Sequence, residues 1–359
     1  MMNRILVINI GSTSTKVGLF EGEKQIFRED HNHSPERLRG MDTYEAWMEL
    51  HRKTLEGVLT QHKMKLAPLH LVVSRGALTR PVESGAYLIN EIMVQDLRSC
   101  KYGWHPSNVG PELALEIARR HKTEAIIYDS PSTDEMDDIA RFSGLKGIER
   151  RAAFHVLNQK SAARRAAIRL NIDYKKARFV IAHLGGGITI VAYREGRIID
   201  GSHGLSEGPF TPQRTGSLPL LDVLELCFSG KFTHKEVQSK LFTQGGVSSY
   251  LGTHNMVEVE QRAKRGEQNA RMVLQALAYQ VSKDIGSMAT VLKGKIDAVV
   301  LTGNLVRSET IVEEIKERVG FLGNVLVFPG EDELEALAYG GLAVLKGAEK
   351  IKQYPPELP

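Results

Sequence analysis

Four short stretches of this 359-residue chain gather residue types that handle phosphate and metal ions. In Asn9-Ile10-Gly11-Ser12-Thr13-Ser14-Thr15-Lys16, a glycine, several hydroxyls and a lysine crowd one turn. Backbone N–H groups, hydroxyls and an ammonium converging on one point suit a phosphate. The plain alternative is a Gly-Ser hairpin with a surface lysine, and the Gly-x-x-x-x-Gly-Lys spacing of a Walker A loop is absent. In His183-Leu184-Gly185-Gly186-Gly187, three glycines let backbone approach a ligand closely, or simply turn the chain. Leu301-Thr302-Gly303-Asn304 follows an apolar run and can support the sugar and base of a nucleotide, or serve as a structural loop. Pro329-Gly330-Glu331-Asp332-Glu333 sets carboxylates ahead of a helix. There they can hold Mg²⁺ through oxygen or water, or favour the helix N-terminus electrostatically.

Single residues add to this set. Asp129 ends an apolar run, a common place for a catalytic group in α/β folds. His105, His155 and His183 lie near turns or helix starts, where a histidine is more often structural than catalytic. Arg214, in Pro212-Gln213-Arg214-Thr215-Gly216, can present a guanidinium from a loop. Arginine in a dry site stabilises developing phosphoryl charge. No His/Cys/Asp cluster has structural-zinc spacing.

The elements that must position these groups are read from periodicity. Ile5–Ile10 is an apolar strand, Gly11–Thr15 a turn, and Lys16–Phe20 a second strand. Glu21–Lys24 signals a hairpin into a third strand at Gln25–Arg28. This antiparallel opening excludes a Rossmann domain, whose first strand feeds a helix. The same punctuation recurs at Phe179–Leu184, Gly185–Gly187, Ile188–Arg194 and Arg197–Asp200, a weak internal duplication. Helices are expected at Thr43–Gln61, Pro111–His121, Phe154–Leu170, Leu220–Ser229, Thr233–Leu241, Met256–Val291 and Glu333–Leu345. Further strands are expected at Leu69–Val73, Glu124–Tyr128, Asp297–Leu301 and Val325–Phe328.

Composition narrows the class. With 42% apolar and 25% charged residues, the chain reads as an ordinary globular enzyme of one large or two smaller domains. A net charge of +4 and scattered aromatics give no nucleic-acid signature. Paired basic residues such as Arg150-Arg151 and Lys175-Lys176 read as solvated helix faces. No apolar stretch is long enough to span a bilayer, and the N-terminus lacks a secretory pattern. Only Cys100 and Cys227 are present, which argues against a disulfide framework and for two small buried thiols in a reducing cytoplasm.

Taken together, these motifs resemble the acetate and butyrate kinases, within the superfamily of sugar kinases, heat-shock chaperone ATPases and actin. The resemblance runs over nearly the whole chain and rests on Asn9–Lys16, Phe154-His155-Val156-Leu157-Asn158-Gln159-Lys160, His183–Gly187, Leu301–Asn304 and Pro329–Gly341. Its butyrate-kinase character is strongest in Asp134-Glu135-Met136-Asp137-Asp138 and in Glu333–Gly341. It implies an α/β fold: a duplicated actin-like (ribonuclease H-like) architecture of two domains with mixed sheets and an interdomain cleft. Domain I would comprise residues 1–150 and 335–359, and domain II residues 151–334. It also implies direct in-line transfer from ATP, with Mg²⁺, to butyrate or a similar short- or branched-chain fatty acid, giving ADP and an acyl phosphate. A cytoplasmic homo-oligomer with no nucleic-acid or membrane partner follows from the same likeness.

The resemblance also distributes roles. Asn9, Ser12, Ser14 and Lys16 match the first phosphate motif, with Asn9 toward the metal. Gly185, Gly186 and Gly187, flanked by His183, match the second. Gly303 and Asn304 fall in the adenosine motif, and Glu331, Asp332 and Glu333 in the metal-associated region. Asp129, His155, Arg214 and His105 match active-site positions. The family's arginine before a His-Gly-Gly is missing from Val72-Val73-Ser74-Arg75-Gly76, so either Arg75 or Arg80 would bind the carboxylate. Asn304 stands where a second glycine is usual, and Ile10 where butyrate kinases often have proline. The alternatives are an acetate or propionate kinase of the same family, or a chaperone- or filament-like ATPase on the same fold.

Overall fold

A computed structural model describes residues 3–64 and 68–355. The chain divides into two compact units, Met1–Asp134 with Asp332–Pro359 and Glu135–Glu331. In the first, Arg4–Ile10 forms β1, and Ile5–Ile10 is apolar on both faces apart from Asn9, as a central strand should be. β2 (Ser14–Glu21) and β3 (Lys24–Asn32) follow antiparallel, with Asn9 opposite Lys16 across the first pair. α1 (Tyr44–Gln61) begins at Thr43, whose side chain caps it. β4 (Leu71–Ser74), β5 (Ala86–Leu88), α2 (Val109–Arg120) and β6 (Ala125–Tyr128) complete the sheet, ordered β3-β2-β1-β4-β6-β5. Strands β1, β4 and β6 run parallel, so they end on one edge.

The second unit repeats the plan. α3 (Val156–Leu170) leads into β7 (Arg178–Leu184), β8 (Ile188–Arg194) and β9 (Arg197–Gly201), again an antiparallel meander. After α4 (Gln268–Val291), β10 (Ala298–Gly303) and β11 (Val325–Pro329) add to β7 in parallel. The sheet order is β11-β10-β7-β8-β9. The run β3-β2-β1-β4-β6 therefore matches β9-β8-β7-β10-β11 position for position, with β5 an extra edge strand. α5 (Glu333–Leu345) returns to the first unit and packs Leu334 against β2, while a Cβ on Gly341 would meet Val73 and Ile5. Residues 135–150 belong to the second unit: Glu135 pairs with Lys160 of α3, and Arg150 reaches Asp200 and Glu207.

Several expectations are corrected. The helix expected over Met256–Val291 is two, Met256–Lys264 and α4, because Gly266 takes a φ of +93° between them. α2 starts at Val109, two positions before Pro111. β5 and a helix at Glu91–Arg98 were not anticipated. Cys227 is exposed and Cys100 half-buried, both unpaired, because the helix Leu220–Phe228 carrying Cys227 buries none of its residues. Among the described residues no helix is long and apolar enough to cross a membrane.

Candidate active site

Asn9, Arg75 and Asp129 in unit one, and His183 and Gly303 in unit two, lie at or just past the ends of parallel strands, the edge at which open α/β sheets bind ligands. In unit one, Asn9 is 2% exposed although it interrupts an apolar strand. Its amide donates to Glu333 Oε2, and Lys16 Nζ lies 3.7 Å from that same oxygen. Asn9 Oδ1 is buried with no partner. The turn after it closes by Gly11 N–H donating to Ser14 O at 2.9 Å, leaving Ser12 exposed and Ser14 half-buried.

Two further strands end beside this turn. Asp129 follows β6, is 1% exposed and adopts φ +43°, a left-handed conformation uncommon outside glycine. Its Oδ1 accepts from Gly85 N at 3.0 Å and its own N–H donates to Gly85 O at 3.2 Å. Arg75 follows β4, and Gly76 is so close to Ser130 that a Cβ would meet Ser130 Oγ at 2.8 Å. His105 Nδ1 accepts from Ser107 N at 3.1 Å, and burial together with the Arg75 charge holds its pKa below the ordinary value. Arg80 points elsewhere: hydrogen bonding to Tyr102 raises its pKa, with Tyr354 and Asp96 nearby.

In unit two the predicted residues form one cluster. The His155 and His183 rings stack with centroids 4.0 Å apart. Thr189 Oγ1 receives the Gln159 amide at 2.9 Å and the His155 backbone N–H at 3.4 Å, so its hydroxyl donates to His155 Nδ1 at 2.9 Å. His155 is thereby left with its proton on Nε2, a donor aimed past Gly187. A Cβ on Gly187 would meet Arg214 Nη1 at 2.8 Å and His155 Nε2 at 3.3 Å. The guanidinium is held by Gly204 O at 2.9 Å, and burial lowers its pKa without removing its charge. His183 is 1% exposed; its Nε2 lies 3.4 Å from Glu331 Oε1, and its Nδ1 is buried without a partner. Gly185 N–H donates to Gly187 O at 3.0 Å, which turns Gly186 into open space. Gly303, at φ +96°, packs directly on the Leu184 backbone, while Asn304 is exposed.

The carboxylates that could not be told apart in the sequence separate here. Glu333 serves Asn9 and Lys16, Glu331 serves His183, and Asp332 is exposed. Thr189 and Gln159 were not singled out. A signal existed for Thr189: it sits opposite His183 as Lys16 sits opposite Asn9. Phe154, next to His155, lies in the core at 7% exposure.

A twice-repeated meander-plus-parallel sheet is the arrangement of the actin-like ATPase fold. The chain belongs to the acetokinase family, whose profile matches residues 141–334, more than half of its length. Membership makes it an ATP-binding kinase whose phosphoryl acceptor is a carboxylate. Its structure is similar to a propionate kinase from Francisella tularensis subsp. tularensis SCHU S4, at 20% identity and a TM-score of 0.75 over 94% of this chain and 98% of that one. It is similar to an acetate kinase from Porphyromonas gingivalis, at 18% identity and a TM-score of 0.76 over 96% of this chain and 100% of that one. An acetate kinase from Entamoeba histolytica matches at 16% identity and a TM-score of 0.72, covering 94% and 98% of the respective chains.

Proposed function

We propose that the protein transfers the γ-phosphoryl group of ATP directly to the carboxylate of butyrate or a similar short- or branched-chain fatty acid. The observation that carries the phosphoryl-transfer reading is the cluster at Gly187. An imidazole Nε2–H and a half-buried guanidinium converge there on backbone that leaves no room for a side chain. The preference for butyrate rests on the Asp134–Asp138 and Glu333–Gly341 motifs alone. Acetate or propionate as the acceptor is equally supported by the family and by the similar structures.

A carboxylate is ionised at neutral pH, so no base has to remove a proton before attack. One carboxylate oxygen bonds to the γ-phosphorus as the bond to the β-phosphate oxygen breaks, giving the acyl phosphate and ADP. Lys16, Arg214 and the His155 Nε2–H would offset charge on the equatorial oxygens. Ser12, Ser14 and the Gly185–Gly187 backbone would hold the phosphate chain, and Gly303 and Asn304 the adenosine. Arg75 would hold the acceptor carboxylate beside His105, because Arg80 is engaged with Tyr102. Asp129, fixed by two backbone bonds to Gly85, would orient neighbouring groups and not take a proton.

The residues present fit a magnesium ion. The unpartnered Asn9 Oδ1 and the nearby Glu333 carboxylate are hard oxygen donors, with Glu331 a further candidate. Bound there, Mg²⁺ would neutralise phosphate charge. Among the described residues no group of three or more acidic, histidine or cysteine side chains forms a metal cage. A homo-oligomer in the cytoplasm is part of this reading.

The deciding experiment is hydroxamate trapping of the acyl phosphate across acetate, propionate, butyrate and isobutyrate, with a sugar as control. Each extra methylene buried stabilises by about 0.8 kcal/mol, so a graded preference peaking at four carbons is expected. A peak at acetate would remove the butyrate assignment. ADP release at the same rate with and without any acid would remove the kinase reading.

A further inference from the structure

Behind the first phosphate turn runs a buried hydrogen-bond chain that phosphoryl transfer itself leaves unused. Thr15 lies on β2 between Ser14 and Lys16 and is fully buried. Alternation along a strand sends its side chain to the face opposite both neighbours. Thr15 Oγ1 lies 2.8 Å from His33 Nε2 and 2.6 Å from His51 Nδ1. His51, on α1, is wholly buried and stacks on Trp47 with centroids 5.7 Å apart. His33 follows β3, and its backbone N–H donates to Thr13 O, inside the turn, at 2.8 Å.

The chain has a direction. His51 Nε2 is buried and has no partner. A bare lone pair is tolerated there better than an orphaned N–H. His51 therefore carries its proton on Nδ1 and donates to Thr15, whose hydroxyl donates to His33 Nε2.

We propose that Thr15, clamped between His51 and His33, is the positioning residue of this turn: its anchorage holds Ser14 and Lys16 toward the nucleotide phosphates. The inference rests on the reading of the turn as a phosphate site. The clamp works only while His33 is neutral, since a proton would make both its nitrogens donors and strand the Thr15 hydroxyl hydrogen. Around His33 stand His31 from β3, Arg37 from the segment after it, and His51 from α1. Burial, Arg37 and His31 all keep its pKa below the ordinary value.

The test uses the full chain, with ATP KM, acid KM and kcat measured from pH 5 to 8. Thr15→Val and His33→Leu should raise the ATP KM about tenfold, the loss of one hydrogen bond's worth of binding, and leave the acid KM unchanged. Thr15→Ser and His33→Gln keep the hydroxyl and the acceptor and should match wild type at pH 8. Wild-type kcat/KM for ATP should fall as His33 takes up its proton, below about pH 6.5. His33→Gln cannot titrate and should lose that limb. A wild-type ATP KM in folded Thr15→Val or His33→Leu would overturn the proposal, as would a wild-type acid limb in His33→Gln. If Thr15→Val fails to fold, the His33 variants decide the matter from the outer end of the chain. Lys16→Ala separates the two readings: an unchanged ATP KM there removes the phosphate site itself. A raised one, with Thr15→Val and His33→Leu unaffected, removes only the clamp.

Discussion

At Gly187 the absence of a side chain is what lets Arg214 and His155 reach the same point. Gly187→Ala would push a methyl group to 2.8 Å from Arg214 Nη1 and 3.1 Å from His155 Cε1. Both are side-chain atoms able to move aside, so the fold should survive while the alignment does not. Misplacement on this scale should lower kcat about 100-fold. Gly186→Ala meets no protein atom within 4 Å, so it leaves Arg214 and His155 in place and should lower kcat far less than Gly187→Ala. Equal kcat values for the two variants would show that the convergence at Gly187 has no catalytic weight. His51 carries a second prediction at this scale. Burial pulls its pKa down to about 3, so the unfolded chain binds the proton more readily than the fold does. The stability it contributes is full above its ordinary value near 6.5 and is lost progressively as pH falls from there toward 3. Between pH 7 and 5 the fold should lose about 2 kcal/mol from this group. Urea unfolding at both pH values checks it, and in His51→Asn the loss should shrink by about that amount.

Among the elements, α3 is tied to the segment before it by an ion pair with almost no contact with water. Lys160 Nζ lies 2.9 Å from Glu135 Oε2 and also donates to Gly196 O at 2.7 Å, with side chains 1% and 4% exposed. Removing one partner strands a buried charge, which costs about 3–5 kcal/mol. Lys160→Met should therefore cost that much in chemical denaturation, and Lys160→Met with Glu135→Leu should recover most of it. A single variant as stable as wild type would show that the pair carries no net weight. Neither this pair nor the Thr15 clamp was legible in the sequence, because partners eighteen or more positions apart leave no periodic trace. What was legible was local. The buried strands read directly from their apolar runs, and Gly11 and Gly185–Gly187 marked the turns that end two of them. β5 was missed because three residues are too few to show a period, and the break at Gly266 because the apolar spacing continues on both sides of it. Glu331 and Glu333 stand two apart in one acidic stretch, and only the fold shows that they serve different units.

At the scale of the whole molecule, one of the exposed apolar surfaces among the described residues lies on a single helix of the second unit. The helix Leu220–Phe228 leaves Leu220, Leu221 and Phe228 80%, 76% and 82% exposed. A nine-residue helix is marginal on its own in water, and a contiguous apolar face of this kind is normally covered. A second copy of the chain is the partner that the proposed homo-oligomer supplies. Light scattering on the wild type should then give a mass that is a multiple of 39.9 kDa. Leu221→Asp combined with Phe228→Asp places charges on that face without touching the core, so circular dichroism should stay unchanged. The mass should fall to 39.9 kDa, and the exposed Cys227 should react faster with a thiol reagent than in the wild type. A wild type that is already a monomer at micromolar concentration, or a double variant that keeps the larger mass, would mean that this helix is not where copies meet.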